Sequence, residues 1–246
     1  MALVIPAYKL AYTPIPKVAC TSIKRAWYAL ANGRPFDRRS LRGRLARGSI
    51  HRVYRSAGFD PAQMARLKDY WKVAVVRDPA SRILSAYSSK VLKRDFLTAH
   101  AGDRGGIFGG LRARMRGDGS LPADLPLRPS ADEFVTRLDE YRTAFGVIRS
   151  HTHPISYYLG ADLSAFDAIY RIDQIDDMAS EVSARSGQRF RVPNSNASSD
   201  VLKVTVNDLS PKAFATLMAR LAPDYDLLAE FYPRPARTAD MNQTGT

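Results

Sequence analysis

Two short stretches of this 246-residue chain gather the residue types that bind an anion. In the first, Ile15-Pro16-Lys17-Val18-Ala19-Cys20-Thr21-Ser22-Ile23-Lys24-Arg25, a proline-marked turn runs into helical spacing. The first N–H groups of a helix have no partner inside it, and its aligned peptide dipoles make that end positive. Lys17 would add a full charge there, and Thr21 and Ser22 two hydroxyls that can cap the helix or donate to phosphate oxygens; Cys20 reads as a packing residue. A plain strand-to-helix turn with incidental lysines accounts for the same residues, because the pattern is not a GxxxxGK[ST] loop.

The second stretch, Val75-Val76-Arg77-Asp78-Pro79-Ala80-Ser81-Arg82-Ile83-Leu84-Ser85-Ala86-Tyr87, again carries a strand into a helix start. Arg77 at the strand's carboxyl end has the fork that fits a phosphate, and Ser85, about two turns along the helix, offers a hydroxyl. Asp78 fits a helix cap better than a catalyst, since a carboxylate beside bound phosphates repels them. Arg82 and Tyr87 read as packing or solvated residues, and a purely structural junction remains an alternative for the whole stretch.

These segments need strands and helices to hold them. Residues 8–15 read as a short strand and 16–20 as a loop; a helix is expected from Thr21, with a hydroxyl cap and with Ile23, Trp27 and Leu30 on one face. Residues 71–77, WKVAVVR, are apolar and β-branched enough for a buried central strand, and Asp78-Pro79 supplies a cap and first turn. Asp60-Pro61 marks another helix, running to residue 67. Two such strand-helix units predict a mainly parallel sheet with helices around it, whose carboxyl edge is where ligands bind.

Beyond these lie a dense basic run at 34–55 and a Gly-, Arg- and Pro-rich segment at 98–129, read as a long mobile loop. Ser130 and Glu133 have capping-box spacing for a helix through about Ala144. A strand is expected at 166–171, then a helix ending before Gly187. One helix should run from Ser210-Pro211 to Leu221 and a last one from Pro223 to Tyr232. A single domain is expected over 1–232, with a disordered tail at 233–246.

Lys and Arg outnumber Asp and Glu by 37 to 24, a formal charge of +13 that points to an anionic partner without naming it. A lone cysteine, Cys20, excludes an internal disulfide and a thiolate metal cluster. The opening residues have no basic segment followed by a long apolar core, and no apolar run approaches the roughly 20 residues of a membrane helix. A cytoplasmic protein without a transmembrane anchor is expected.

The two anion motifs together, in this order, resemble the carbohydrate sulfotransferases, the family that includes the chondroitin and dermatan sulfotransferases. There an IPKxxCT-type segment binds a 5′-phosphosulfate and an RDPxxRxxSAY-type segment a 3′-phosphate. The resemblance extends to Ser150-His151-Thr152-His153-Pro154, similar to an HxxP element, and to Ala222-Pro223-Asp224-Tyr225-Asp226, similar to a PDYxLF-like ending. It departs at Ile23, where many relatives carry Trp, and at Ile155, where many carry Gln.

The resemblance implies an α/β chain with a P-loop NTPase-like three-layer fold, a central mainly parallel sheet flanked by helices. It implies sulfuryl transfer from 3′-phosphoadenosine-5′-phosphosulfate (PAPS) to a hydroxyl of a carbohydrate or glycoconjugate, with release of 3′-phosphoadenosine-5′-phosphate (PAP) and without a metal. Pro16, Lys17, Val18, Ala19, Cys20, Thr21 and Ser22 would hold the 5′-phosphosulfate, and Arg77 and Ser85 the 3′-phosphate. His151 is the expected base, because an imidazole titrates near neutrality, with His153 second; His51 and Glu133 are outside candidates. The basic balance favours an acidic glycan among the acceptors left open.

Two other readings share parts of this pattern. A P-loop kinase or related NTPase would use the same strand-loop-helix logic, but the sequence lacks its glycine-lysine loop and an evident acidic strand end for Mg²⁺. A basic nucleic-acid-binding protein would explain the charge and the arginine-rich run, yet no specific nucleic-acid motif is present.

Overall fold

The computed structural model describes residues 1–37, 39, 48–102, 109–115, 117–193 and 203–236. The chain divides into two compact units, Met1–Arg77 with Ile155–Ala197, and Asp78–Pro154 with Ser198–Thr246.

The first unit contains a four-stranded sheet in the order β1 (Leu3–Ile5), β2 (Leu10–Thr13), β3 (Trp71–Val76), β4 (Ala168–Arg171). β1 runs antiparallel to β2, and β2, β3 and β4 are mutually parallel, so the expected mainly parallel sheet is present. The sequence reading did not foresee β1. Its three residues precede Pro6, where a one-turn helix over Pro6–Tyr8 and a left-handed Lys9 reverse the chain and pair Leu3 with Tyr12.

Helix α1 (Cys20–Asn32) follows β2, with the short helices α2 (Ile50–Val53) and α3 (Pro61–Arg66) before β3. The Asp60 side chain caps α3 at the Gln63 N–H, as Asp-Pro predicts. β3 is buried from Val73 to Val76, as its apolar run implies. Trp27 of α1 is fully buried between Tyr12, at 5.5 Å between ring centres, and Phe190 at 5.9 Å.

The second unit is helical among the described residues. Its main helices are α4 (Pro79–Tyr87), α5 (Phe96–Gly102), α6 (Gly109–Met115), α7 (Ala131–Thr136), α8 (Leu138–Ala144), α9 (Gly146–His151) and, after the first unit's α10 (Ser156–Leu159) and α11 (Ile175–Ser186), α12 (Pro211–Leu227). Its core joins Ile83, Leu84 and Tyr87 of α4 to Phe134, Leu138 and Tyr141 and to Leu217, Leu221 and Tyr225.

Several expected boundaries move. The 98–129 segment is not one long loop, since α5 and α6 fall largely within it. The capping box of Ser130 and Glu133 is present, but the helix breaks at Arg137, whose guanidinium binds Asp124 and Glu140. The two C-terminal helices are one: α12 passes through Pro223. That proline gives the Ala219 carbonyl no N–H, and buried Asp224 and Tyr225 just after it hold the helix in register. Residues 194–199, whose sequence NSNASS reads as a polar loop, Arg104, Arg116, most of 38–47 and the end of the expected tail lie outside the described residues. No described helix is long and apolar enough to cross a membrane.

Candidate functional site

In the first unit the loop between β2 and α1 is shaped by two left-handed residues that are not glycine, Lys17 at φ 69° and Ala19 at φ 46°. Each such residue costs about 1–2 kcal/mol and persists only where its surroundings over-determine it. Val18 and Ile15 lock the loop down by being fully buried. The helix therefore starts at Cys20, not Thr21, and its cap is Ala19, which supplies no side-chain acceptor. The expected hydroxyl cap is absent, because Thr21 and Ser22 already lie within the first turn.

β2 and β3 are parallel neighbours, with Thr13 opposite Ala74, so loop 14–19 and Arg77 both leave the carboxyl edge of the sheet. There the Arg77 guanidinium donates to the Lys17 carbonyl at 3.3 Å. The structure thus brings together the leading residues of both expected anion motifs. A helix start without a side-chain cap, a lysine and an arginine at one sheet edge are the features that suit phosphate and sulfate oxygens.

Thr21 does not stand alone. Its hydroxyl lies 2.9 Å from His51 Nε2, and His51 Nδ1 lies 3.3 Å from Lys24 Nζ. Lys24 is fully buried, and that burial pushes its ammonium below the ordinary lysine value. Sequence reasoning placed this lysine in the first anion stretch without a role of its own. The available signal was its spacing, one turn after Cys20 and one before Tyr28, which puts it in the apolar stripe of α1.

In the second unit Asp78 caps α4 at the Ser81 N–H, 2.7 Å away, and accepts from the Tyr225 hydroxyl at 2.8 Å. Asp78 is accordingly structural. Ser85 sits half-buried on α4, two turns from its start. Arg82, expected to pack or to stay solvated, is fully buried; it donates to the carbonyls of His151 and His153 and lies 3.7 Å from the buried carboxylate of Asp224.

Both sequence-predicted histidines are therefore held from behind by one arginine. His151 Nδ1 is 2.7 Å from the Val147 carbonyl, an oxygen that can only accept. The ring must donate through Nδ1, which places the lone pair of the neutral imidazole on Nε2. Burial, then the charges of Arg142, Arg149 and Arg82, hold His153 below the usual histidine value, so it stays neutral where an ordinary histidine begins to charge. Glu133 is fully engaged by its capping box, with Ser130 N and Oγ at 2.8 and 2.9 Å.

The sequence model of the Sulfotransferase family matches residues 1–229. The chain belongs to this family. No curated protein and no solved structure matches it. Membership makes sulfuryl transfer the general chemistry of this sulfotransferase, and the family's donor, PAPS, carries the two anionic groups that the motifs anticipate. The match covers both motifs, the histidine segment and Asp224-Tyr225.

Proposed function

We propose that the chain transfers a sulfuryl group from PAPS to a hydroxyl of a carbohydrate or glycoconjugate. The observation that carries this reading is the meeting of Arg77 with the strained, uncapped loop of Lys17 at the carboxyl edge of the sheet. Loop residues Pro16 to Ser22 hold the 5′-phosphosulfate, Arg77 and Ser85 the 3′-phosphate, and the fold is of the three-layer P-loop type with one domain over 1–232. The site works without a metal, in the cytoplasm, and its acceptor is an acidic glycan in keeping with the +13 balance.

In the proposed mechanism His151 Nε2 takes the acceptor hydroxyl's proton as the oxygen attacks sulfur in line. The new O–S bond forms while the bond from sulfur to the bridging phosphate oxygen breaks. PAP leaves with that electron pair. Lys17 and the first-turn N–H groups stabilise charge growing on the bridging and sulfuryl oxygens, so positioning and preorganised electrostatics supply most of the acceleration. His51 is the second reading for the base, because it touches Thr21 in the same loop-helix unit.

Calorimetric titration of PAP into wild type, Lys17→Ala and Arg77→Ala tests the donor site, with ATP as control. Selective binding that weakens in both variants supports it, and equal binding of ATP returns the kinase reading. Sulfate transfer by His151→Ala and His51→Ala, measured at saturating donor, decides the base.

A further inference from the structure

Lys24 is an ionic group with no solvent exposure, in a helix whose other buried residues are Cys20, Ser22, Ile23, Ala26, Trp27 and Tyr28. Removing an ammonium from water costs several kcal/mol, and an unbranched apolar side chain would fill the same space without that cost. Packing alone does not account for the charge. The contacts of Lys24 do point somewhere: Nζ donates to Ser56 Oγ at 2.9 Å and faces His51 Nδ1 at 3.3 Å, and His51 Nε2 faces Thr21 Oγ1 at 2.9 Å.

The proton positions along this chain follow from valence. An ammonium has three donors and no acceptor, so His51 Nδ1 must present its lone pair to it. The neutral ring then carries hydrogen on Nε2, and that N–H donates to the Thr21 oxygen. With a lone pair of Thr21 occupied, its own hydrogen is left to donate, from the second residue of α1 at the helix end that lacks a side-chain cap. His51 and His151 thus rest in opposite tautomers, one a donor through Nε2 and the other a lone-pair carrier there.

We propose that Lys24 is a positioning residue for donor binding, which fixes the tautomer of His51 and through it aims the Thr21 hydroxyl at a phosphosulfate oxygen. The proposal rests on the sulfotransferase reading above for its ligand, but not for the hydrogen-bond chain itself. It makes His51 part of the cradle and not the base.

Long-range proton–nitrogen correlation spectra of the full chain report the His51 tautomer directly. Wild type should show hydrogen on Nε2, and Lys24→Met should lose that preference and bind PAP about tenfold more weakly. His51→Gln keeps an N–H at the far end of the side chain but has no basic lone pair. It should weaken PAP binding, though by less than Lys24→Met does because one hydrogen bond to Thr21 is retained, and any fall in turnover should be recovered at saturating donor.

A wild-type spectrum with hydrogen on Nδ1, or unchanged affinity in a folded Lys24→Met, overturns the proposal while leaving the sulfotransferase reading intact. His51→Gln with normal affinity and no turnover also overturns it and makes His51 the base. Should Lys24→Met not fold, the wild-type spectrum and His51→Gln still decide. Absence of PAP binding by wild type defeats the sulfotransferase reading, and with it the proposed ligand, whatever the tautomer.

Discussion

The guanidinium of Arg77 reaches 3.3 Å to the backbone carbonyl of Lys17, tying the end of β3 to the loop that follows β2. One arginine thereby fixes the loop's shape, and on the proposed reading it also meets an anion. Arg77→Lys keeps the charge but loses the planar fork. We expect it to weaken PAP binding about tenfold, and Arg77→Ala more than that. An Arg77→Lys variant that binds as tightly as wild type would show that charge alone matters.

Asp224 and Arg82 form an ion pair with almost no access to water, 3.7 Å apart. Removing one member leaves the other charged and buried. Asp224→Ala should destabilise the protein by about 3–5 kcal/mol, read from urea unfolding; a change below about 1 kcal/mol, the size of an exposed pair, would mean that water reaches Arg82.

Tyr225 donates to Asp78 across 147 positions of sequence, and burial followed by the Asp78 charge raises its phenol well above the ordinary value. Tyr225→Phe retains the ring and deletes that bond. A loss of about 1–2 kcal/mol is expected in the same assay, with the α12 content of the circular dichroism spectrum unchanged.

Trp27→Ala should cost about 3–5 kcal/mol, because the fully buried indole packs on Tyr12 and Phe190 and its loss leaves a cavity. Thermal unfolding measures it.

His153 is held neutral by burial and by Arg142, Arg149 and Arg82, so its folded value lies below the unfolded one. The unfolded chain then binds the proton more readily. Stability contributed by this residue is complete above the unfolded histidine value and falls as pH drops from there toward the folded value. His153→Gln should flatten the slope of stability against pH in that window, and an unchanged slope would remove His153 as its source.

The parts of this protein that local chemistry dictates were legible in its sequence. WKVAVV could hardly be anything but a central strand, and the Asp-Pro and Ser-x-x-Glu starts specify their caps through a single hydrogen bond each. What escaped reading depended on partners distant in sequence. β1 is a strand because β2 lies beside it, and Pro223 stays helical because Asp224 and Tyr225 are anchored about 140 residues away at Arg82 and Asp78. By type Arg82 reads as packing or solvated and Lys24 has no role of its own, and only their helical spacing against Ile83, Ala86, Cys20 and Trp27 signals that they lie on buried faces.

The helix that begins at Cys20 has a methyl group where most helices place a hydroxyl or carboxamide. On the proposed reading an anion completes that amino end, and occupancy then adds directly to folding: a ligand at a hundred times its dissociation constant contributes about 2.7 kcal/mol. Should PAPS be that anion, the supply of the donor would govern more than turnover: it would also set how long each copy survives heat and proteases, with molecules in donor-poor surroundings cleared first.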